Sequence, residues 1–218
     1  MKLNNKRTIL VGLAFLSICA FWQMYDSVVP LILTKTFHMN ETFSGAIMAA
    51  DNILALFLLP FFGSLSDRSH SKIGKRMPFI LFGTGCAVIL MNILPLLDNS
   101  YAAQPSGLKT ASFVIVLGLL LVTMGTYRSP AVALMPDVTP KPLRSRANAI
   151  INLMGAVGGI LYLGVAAVLY PNSKTAGLDH VNYQPLFIVV SAIMFIAIAI
   201  LFLTVKEPKL TAENQALE

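Results

Sequence analysis

Three ionisable residues stand inside long apolar runs: Asp26 within FWQMYDS, Asp51 within AADNIL and Arg128 within GTYRSP. A charge at the centre of a bilayer costs about 2.5–3.5 kcal/mol on insertion scales, so each needs a reason to be there. A carboxyl group in apolar surroundings can exchange a proton near neutral pH. Asp26 and Asp51 are therefore candidates for a coupling-ion site, with Arg128 competing for the carboxylate when the proton is absent. Asn52, adjacent to Asp51, offers a further oxygen for sodium, the less favoured ion. The plain alternative is a structural ion pair that holds helices together. Taking about 1.5 Å of rise per residue, Asp51 lies roughly 13 Å, and Arg128 about 25 Å, from the same end of their segments. Helix tilt can bring these two level, so Asp51 with Arg128 is favoured over Asp26 with Arg128. Trp22 and Tyr25 lie one helical turn apart beside Asp26. Such rings can stack on a sugar; packing or interfacial anchoring is the competing role.

The composition places the elements that would carry these residues in a membrane. The 218 residues are 56% hydrophobic and only 12% charged, against about a quarter charged in soluble domains, and the mean hydropathy is +0.73. We expect an all-α polytopic membrane protein with six transmembrane helices, at about residues 8–33, 42–65, 77–97, 111–135, 147–170 and 183–205. Each is long enough to cross a hydrocarbon core of about 30 Å. Residues 1–205 form one membrane domain, and 206–218 a polar cytoplasmic tail or the start of a linker. The first apolar run reads as an uncleaved helix rather than a removed leader.

Topology follows from the hairpin Gly63–Pro78, GSLSDRSHSKIGKRMP, which packs Arg68, Lys72, Lys75 and Arg76 between two apolar runs. Loops this basic stay on the cytoplasmic side. With the hairpin inside, twelve of the sixteen Lys and Arg residues are cytoplasmic; Lys35, Lys109 and Lys174 are outside, and Arg128 is within the membrane. Both termini are then cytoplasmic and the protein is multi-pass in the cytoplasmic (inner) membrane. The net charge of +6 is explained by this sidedness and implies no nucleic-acid partner. Asp67, Arg68, Asp137, Arg144 and Arg146 would form a charge network on that face, or remain solvated loop charges with no net energetic role. Prolines 30, 60, 130 and 136 suggest bent helices, and Gly155 with Gly159 forms a small-xxx-small pattern suited to close helix packing.

The hairpin resembles the signature loop of the major facilitator superfamily, through Gly63, Asp67, Arg68, Gly74, Lys75 and Arg76. Together with DNILALFLLPFFGSLSDR, GKRMPFILFGT and RSPAVALMPDVTPKPLRSRANAIINLMGAVGG, the chain resembles the glycoside and sucrose-type symporters of that superfamily over segments one to five. The resemblance implies a half of the twelve-helix fold, a cytoplasmic gating motif extended by Asp137 and Arg144, and secondary active, proton-coupled symport of a di- or oligosaccharide or another small polar solute. It also implies a second six-helix half, in cis or as a homo- or heterodimer. The sucrose-type Arg of the second stretch aligns with Val132, so substrate contacts do not transfer directly. The single carboxylate on segment two, Asp51, favours protons over sodium.

Two other classes compete. A non-transporting fragment, or an assembly partner of a full transporter, would show the same helices. An intramembrane aspartyl protease would need a Gly-x-Gly-Asp motif, where this chain has Ala49-Ala50-Asp51. His38, His70 and His180 lie in loops without metal-ligand spacing, and Cys19 and Cys86 fall inside apolar runs, as inert buried thiols do. The expectation is a protein that is not an enzyme and holds no metal or organic cofactor.

Overall fold

The computed structural model describes residues 3–216. Six helices are long and apolar enough to cross a membrane: α1 (Asn5–Leu31), which runs on into a π-helical turn at Ile32–Thr36, α2 (Glu41–Asp67), α3 (Met77–Ala103), α4 (Gly107–Asp137), α5 (Arg144–Leu169) and α7 (Gln184–Thr204). The short helices α6 (Asn172–Thr175) and α8 (Glu207–Gln215) lie outside the spans. The fold is all-helical, as half of a major facilitator fold requires. Asn4 and Asn40 cap α1 and α2 by accepting the Arg7 and Phe43 N–H groups, the common device for helix N-termini.

The core lies between α1, α3, α4 and α7, where Phe21, Met91, Leu94, Met124, Tyr127 and Met194 are almost fully buried. Glycines set the closest approaches. A Cβ on Gly158 would overlap the Leu16 backbone, and one on Gly155 would come within 2.9 Å of the Cys19 sulfur. These two draw α5 onto α1. Gly159 has nothing nearer than the Gln23 side chain at 3.8 Å, so the close-packing pair is Gly155 and Gly158 rather than Gly155 and Gly159. Gly83 does the same for α3 against α4, where an added Cβ would be 2.7 Å from that of Tyr127.

Polar groups inside the bundle are joined across helices, as an apolar solvent demands. The Tyr127 hydroxyl donates to the Ala14 carbonyl at 3.0 Å and pairs with the Ser17 hydroxyl. Asn92 of α3 donates to Ser191 of α7 at 2.8 Å. By contrast α2 packs mainly on α4 and leaves Ile53, Leu56, Phe57 and Phe61 more than half exposed. Such a face needs lipid or another apolar surface against it.

Two ends of the chain meet at one end of the bundle. The Arg7 guanidinium donates to the Val138 carbonyl at 3.2 Å, and Asn214 of α8 donates to the Asp137 carbonyl at 3.1 Å. The segment 206–218, expected as a polar tail, thus contains a helix docked on the hairpin end. At the opposite end α3 continues past the expected limit at Leu97. Asp98 is consequently not a loop residue: it is fully buried, 3.8 Å from His180 Nδ1. That ring lies 3.2 Å from the Thr36 hydroxyl and 3.0 Å from Asn99 Oδ1.

Candidate functional site

Of the residues singled out by their chemistry, Trp22, Asp51 and Arg128 line one crevice, closed by Leu58, Leu121 and Gly125. It measures about 10 Å³, room for about one water. The crevice forms because α1, α2 and α4 meet there, and Gly125 lets α2 approach: a Cβ at that position would be 3.1 Å from the Leu58 Cβ. Arg128 sits over the Trp22 ring, 5.4 Å from its centroid, a separation at which a guanidinium is attracted to an aromatic face. Among the described residues no ion pair within 4.0 Å joins Arg128 to Asp51 or Asp26. Asn52 turns its amide N–H to Asp51 Oδ1 at 2.9 Å, so it presents a donor, not an oxygen, to the carboxylate.

Asp26 is exposed on α1 and close enough to Asp51 for the two charges to interact. Tyr25, expected with Trp22 as a ring that could stack on a sugar, is 1% exposed. It stacks on Phe21 at 6.0 Å and meets Trp22 edge to face at 5.3 Å, so it fixes the indole from behind. The hydroxyl of Tyr25 and the indole nitrogen of Trp22 are buried without a hydrogen-bond partner among the described residues.

A second cluster occupies the hairpin end. Arg76, 4% exposed, is its centre. Its guanidinium binds Asp137 Oδ2 at 2.8 Å, Asp67 and Ser66 by short contacts, and the Gly63 carbonyl at 3.3 Å. Lys75 adds contacts of 3.3 Å to Asp137 and 3.8 Å to Asp67. One buried cation thus ties the end of α2 to the end of α4. Arg144, at the start of α5, donates to the Thr139 carbonyl at 3.1 Å. Arg68 is exposed and makes no side-chain hydrogen bond or ion pair among the described residues; its backbone N–H closes α2 on the Ser64 carbonyl at 3.3 Å.

The residue missed from the sequence is Glu207, which is 1% exposed. Its carboxylate accepts the N–H groups of Lys75 at 2.9 Å, Arg76 at 2.9 and 3.2 Å, and Met77 at 2.9 Å. These are the donors at the start of α3 that no helical carbonyl can satisfy. A carboxylate there is also favoured by the helix dipole. Burial pushes the Glu207 carboxyl above the ordinary Glu value, opposed by the donors of Arg76, Met77 and Lys75, while Asp137 adds to the rise. Gly74 makes the approach possible: its φ is +117°, and a Cβ there would overlap the Glu207 carboxylate. The only signal in the sequence is an acid-proline pair, Glu207-Pro208, just after the last apolar run.

Six spanning helices, charged residues placed at a crevice between three of them, and a buried charge cluster closing one end define a polytopic membrane protein of the transporter class. The chain belongs to the Major Facilitator Superfamily, whose sequence profile matches residues 11–218. This is a family of transporters, not of enzymes. It is similar to the sucrose transport protein SUC3 of Arabidopsis thaliana, 34% identical over 61% of this chain and 24% of that protein. It is similar also to the alpha-ketoglutarate permease of Escherichia coli, 26% identical over 81% of this chain and 38% of the permease. A third relative is human solute carrier family 45 member 3, 26% identical over 83% of this chain and 33% of the carrier. The matches span between about a quarter and two fifths of these relatives' own lengths.

Proposed function

We propose that this chain is one half of a secondary active transporter that moves a sugar or related small polar solute together with a proton. The observation that carries the reading is the meeting of Trp22, Asp51 and Arg128 at one crevice within the spans. Asp51 takes up the proton. When it is deprotonated, Arg128 is drawn toward the carboxylate; protonation frees the guanidinium, which then joins the Trp22 face beside it in holding a solute, so that proton and solute are loaded together. Asp26, within electrostatic range of Asp51, tunes that exchange. The second half, supplied by a longer product or by another copy, provides the other wall of the pathway. The likeness to a sucrose transport protein supports a sugar, and the permease supports a wider range of small solutes. Sodium is the less favoured ion because Asn52 directs a donor at Asp51.

In this reading the hairpin end and both chain ends face the cytoplasm, where the basic loops prefer to stay. The cluster around Arg76 holds α2 and α4 together on that side in one conformation of the cycle.

The test is uptake in proteoliposomes with an imposed pH gradient, comparing the wild-type chain, together with its second half, and Asp51→Asn. The variant should insert normally and lose proton-driven uptake by about a hundredfold or more, the scale for a lost proton-transfer group. Unchanged uptake with an intact proton requirement would remove Asp51 from the coupling site.

A further inference from the structure

At the hairpin end, outside both clusters described above, two clefts flank the start of α8. One, of about 340 Å³, lies between the first turns of α1 and α8 and is lined by Lys6, Arg7, Leu10, Lys206, Lys209 and Glu213. The other, of about 280 Å³, is lined by Lys72, Ile73 and Phe202 and shares Lys206 and Lys209 with the first. Five cations and one carboxylate therefore line these two adjoining clefts. Glu213 is already committed, at 3.7 Å from Arg7 and 4.0 Å from Lys209. Lys6, Lys72 and Lys206 have no acidic partner within 4.0 Å among the described residues. Lys206 instead lies 5.9 Å from the Phe202 ring centroid.

The depth of this surface identifies what it can hold. Lys206 comes two residues after the last span ends at Thr204, and Lys6 lies in the first turn of α1. Both lie at the end of a span, and at span ends the hydrocarbon gives way to headgroups. On the membrane side of the cations Leu10 lines the first cleft. Ile9, one helical turn along α1 from Lys6, is 44% exposed, and Leu203, three residues before Lys206 at the end of α7, is 68% exposed. A ligand matched to this surface carries a phosphate at the level of the lysines and a hydrocarbon chain below it. A basic recess at the end of a helix bundle is a known way to hold an anionic headgroup.

We infer that the groove between α1, α7 and α8 is a binding site for one anionic phospholipid, its phosphate held by Lys6, Lys206 and Lys209 and an acyl chain lying on Leu203 and Ile9. A free phosphate shares the headgroup chemistry but not the apolar contacts. The site depends on the membrane fold and not on any transported solute or coupling ion.

The test uses the full chain purified in an uncharged detergent, with native mass spectrometry reading lipid retention. Phosphatidylglycerol should be retained over phosphatidylcholine of the same chain length, and millimolar inorganic phosphate should not displace it. Replacing lysines by glutamine should weaken retention about fivefold per charge removed, read in Lys206→Gln alone and in the triple variant with Lys6→Gln and Lys209→Gln. The matching lysine-to-arginine triple variant should retain the lipid. Equal retention of the two lipids, or glutamine variants that bind as the wild type does, would overturn the site. Displacement by phosphate would make it a free-anion site and overturn the lipid assignment. If the triple variant loses its helical content, the single variant and the two-lipid comparison on the wild type still decide.

Discussion

The Arg128 guanidinium carbon lies 5.4 Å from the centroid of the Trp22 indole, a charge laid on an aromatic face across α4 and α1. The contact gives a cation within a membrane span a partner other than a carboxylate, while Asp51 at the same crevice has no ion pair among the described residues.

An attraction of this kind contributes about 0.5–2 kcal/mol. Trp22→Phe retains a ring face and should leave uptake measurable with a raised KM, whereas Trp22→Ala removes it and should lower kcat/KM by at least about tenfold. Uptake kinetics on the two variants check this. Equal effects of Phe and Ala would mean that the ring face is not what matters.

Gly74→Ala should destabilise the protein by about 1–3 kcal/mol from its backbone conformation alone, because the native φ is +117°. It should also undock α8, since the new Cβ displaces the Glu207 carboxylate. The readouts are a lowered Tm and faster protease cleavage within residues 207–215. A wild-type Tm with α8 still protected would show that the turn has another way to close.

The contribution of Glu207 to the stability of the hairpin end should fall with rising pH. Burial raises the Glu207 carboxyl above 4.5, so the folded state holds that proton more tightly than the unfolded one. Its contribution is complete below 4.5 and is lost as pH rises through the folded value. The Tm of wild type minus that of Glu207→Gln should therefore be greatest in acid and shrink as pH rises; a difference that grows would reverse the sign of the effect.

Adjacent glycines in α5 should behave oppositely. Gly158→Ala drives a methyl group into the Leu16 backbone and should cost about 1–3 kcal/mol or more. Gly159→Ala meets nothing closer than 3.8 Å and should stay within about 0.5 kcal/mol of wild type. Thermal unfolding of the pair in one detergent decides whether α5 packs on α1 through the first face or the second.

The contrast between these glycines shows where the sequence stops being informative. In water a helix announces its buried face by hydrophobic periodicity. In a bilayer the lipid face is as apolar as the packed face, so Gly158 and Gly159, or Trp22 and Tyr25, look equivalent until neighbours are placed. The hairpin was legible because Asp67, Lys75 and Arg76 are charges between apolar runs, and only one side of a membrane tolerates so many cations. Its closure by Glu207 was not legible, because nothing near residue 207 encodes a partner about 130 positions earlier. Asp98 was misplaced for a related reason: an acid at the edge of an apolar run reads as the end of a helix, and its burial depends on Thr36 and His180, which are distant in sequence.

The cap that Glu207 places on α3 also has a timing. Its donors lie 130 to 132 residues upstream, so at about 5–20 residues per second the ribosome needs roughly ten seconds to supply the carboxylate after the hairpin has emerged. Throughout that interval α4, α5 and α7 are being threaded into the bilayer while the head of α3 stays open. Closure of the cap thus reports that α7 has been made and that α8 has followed it.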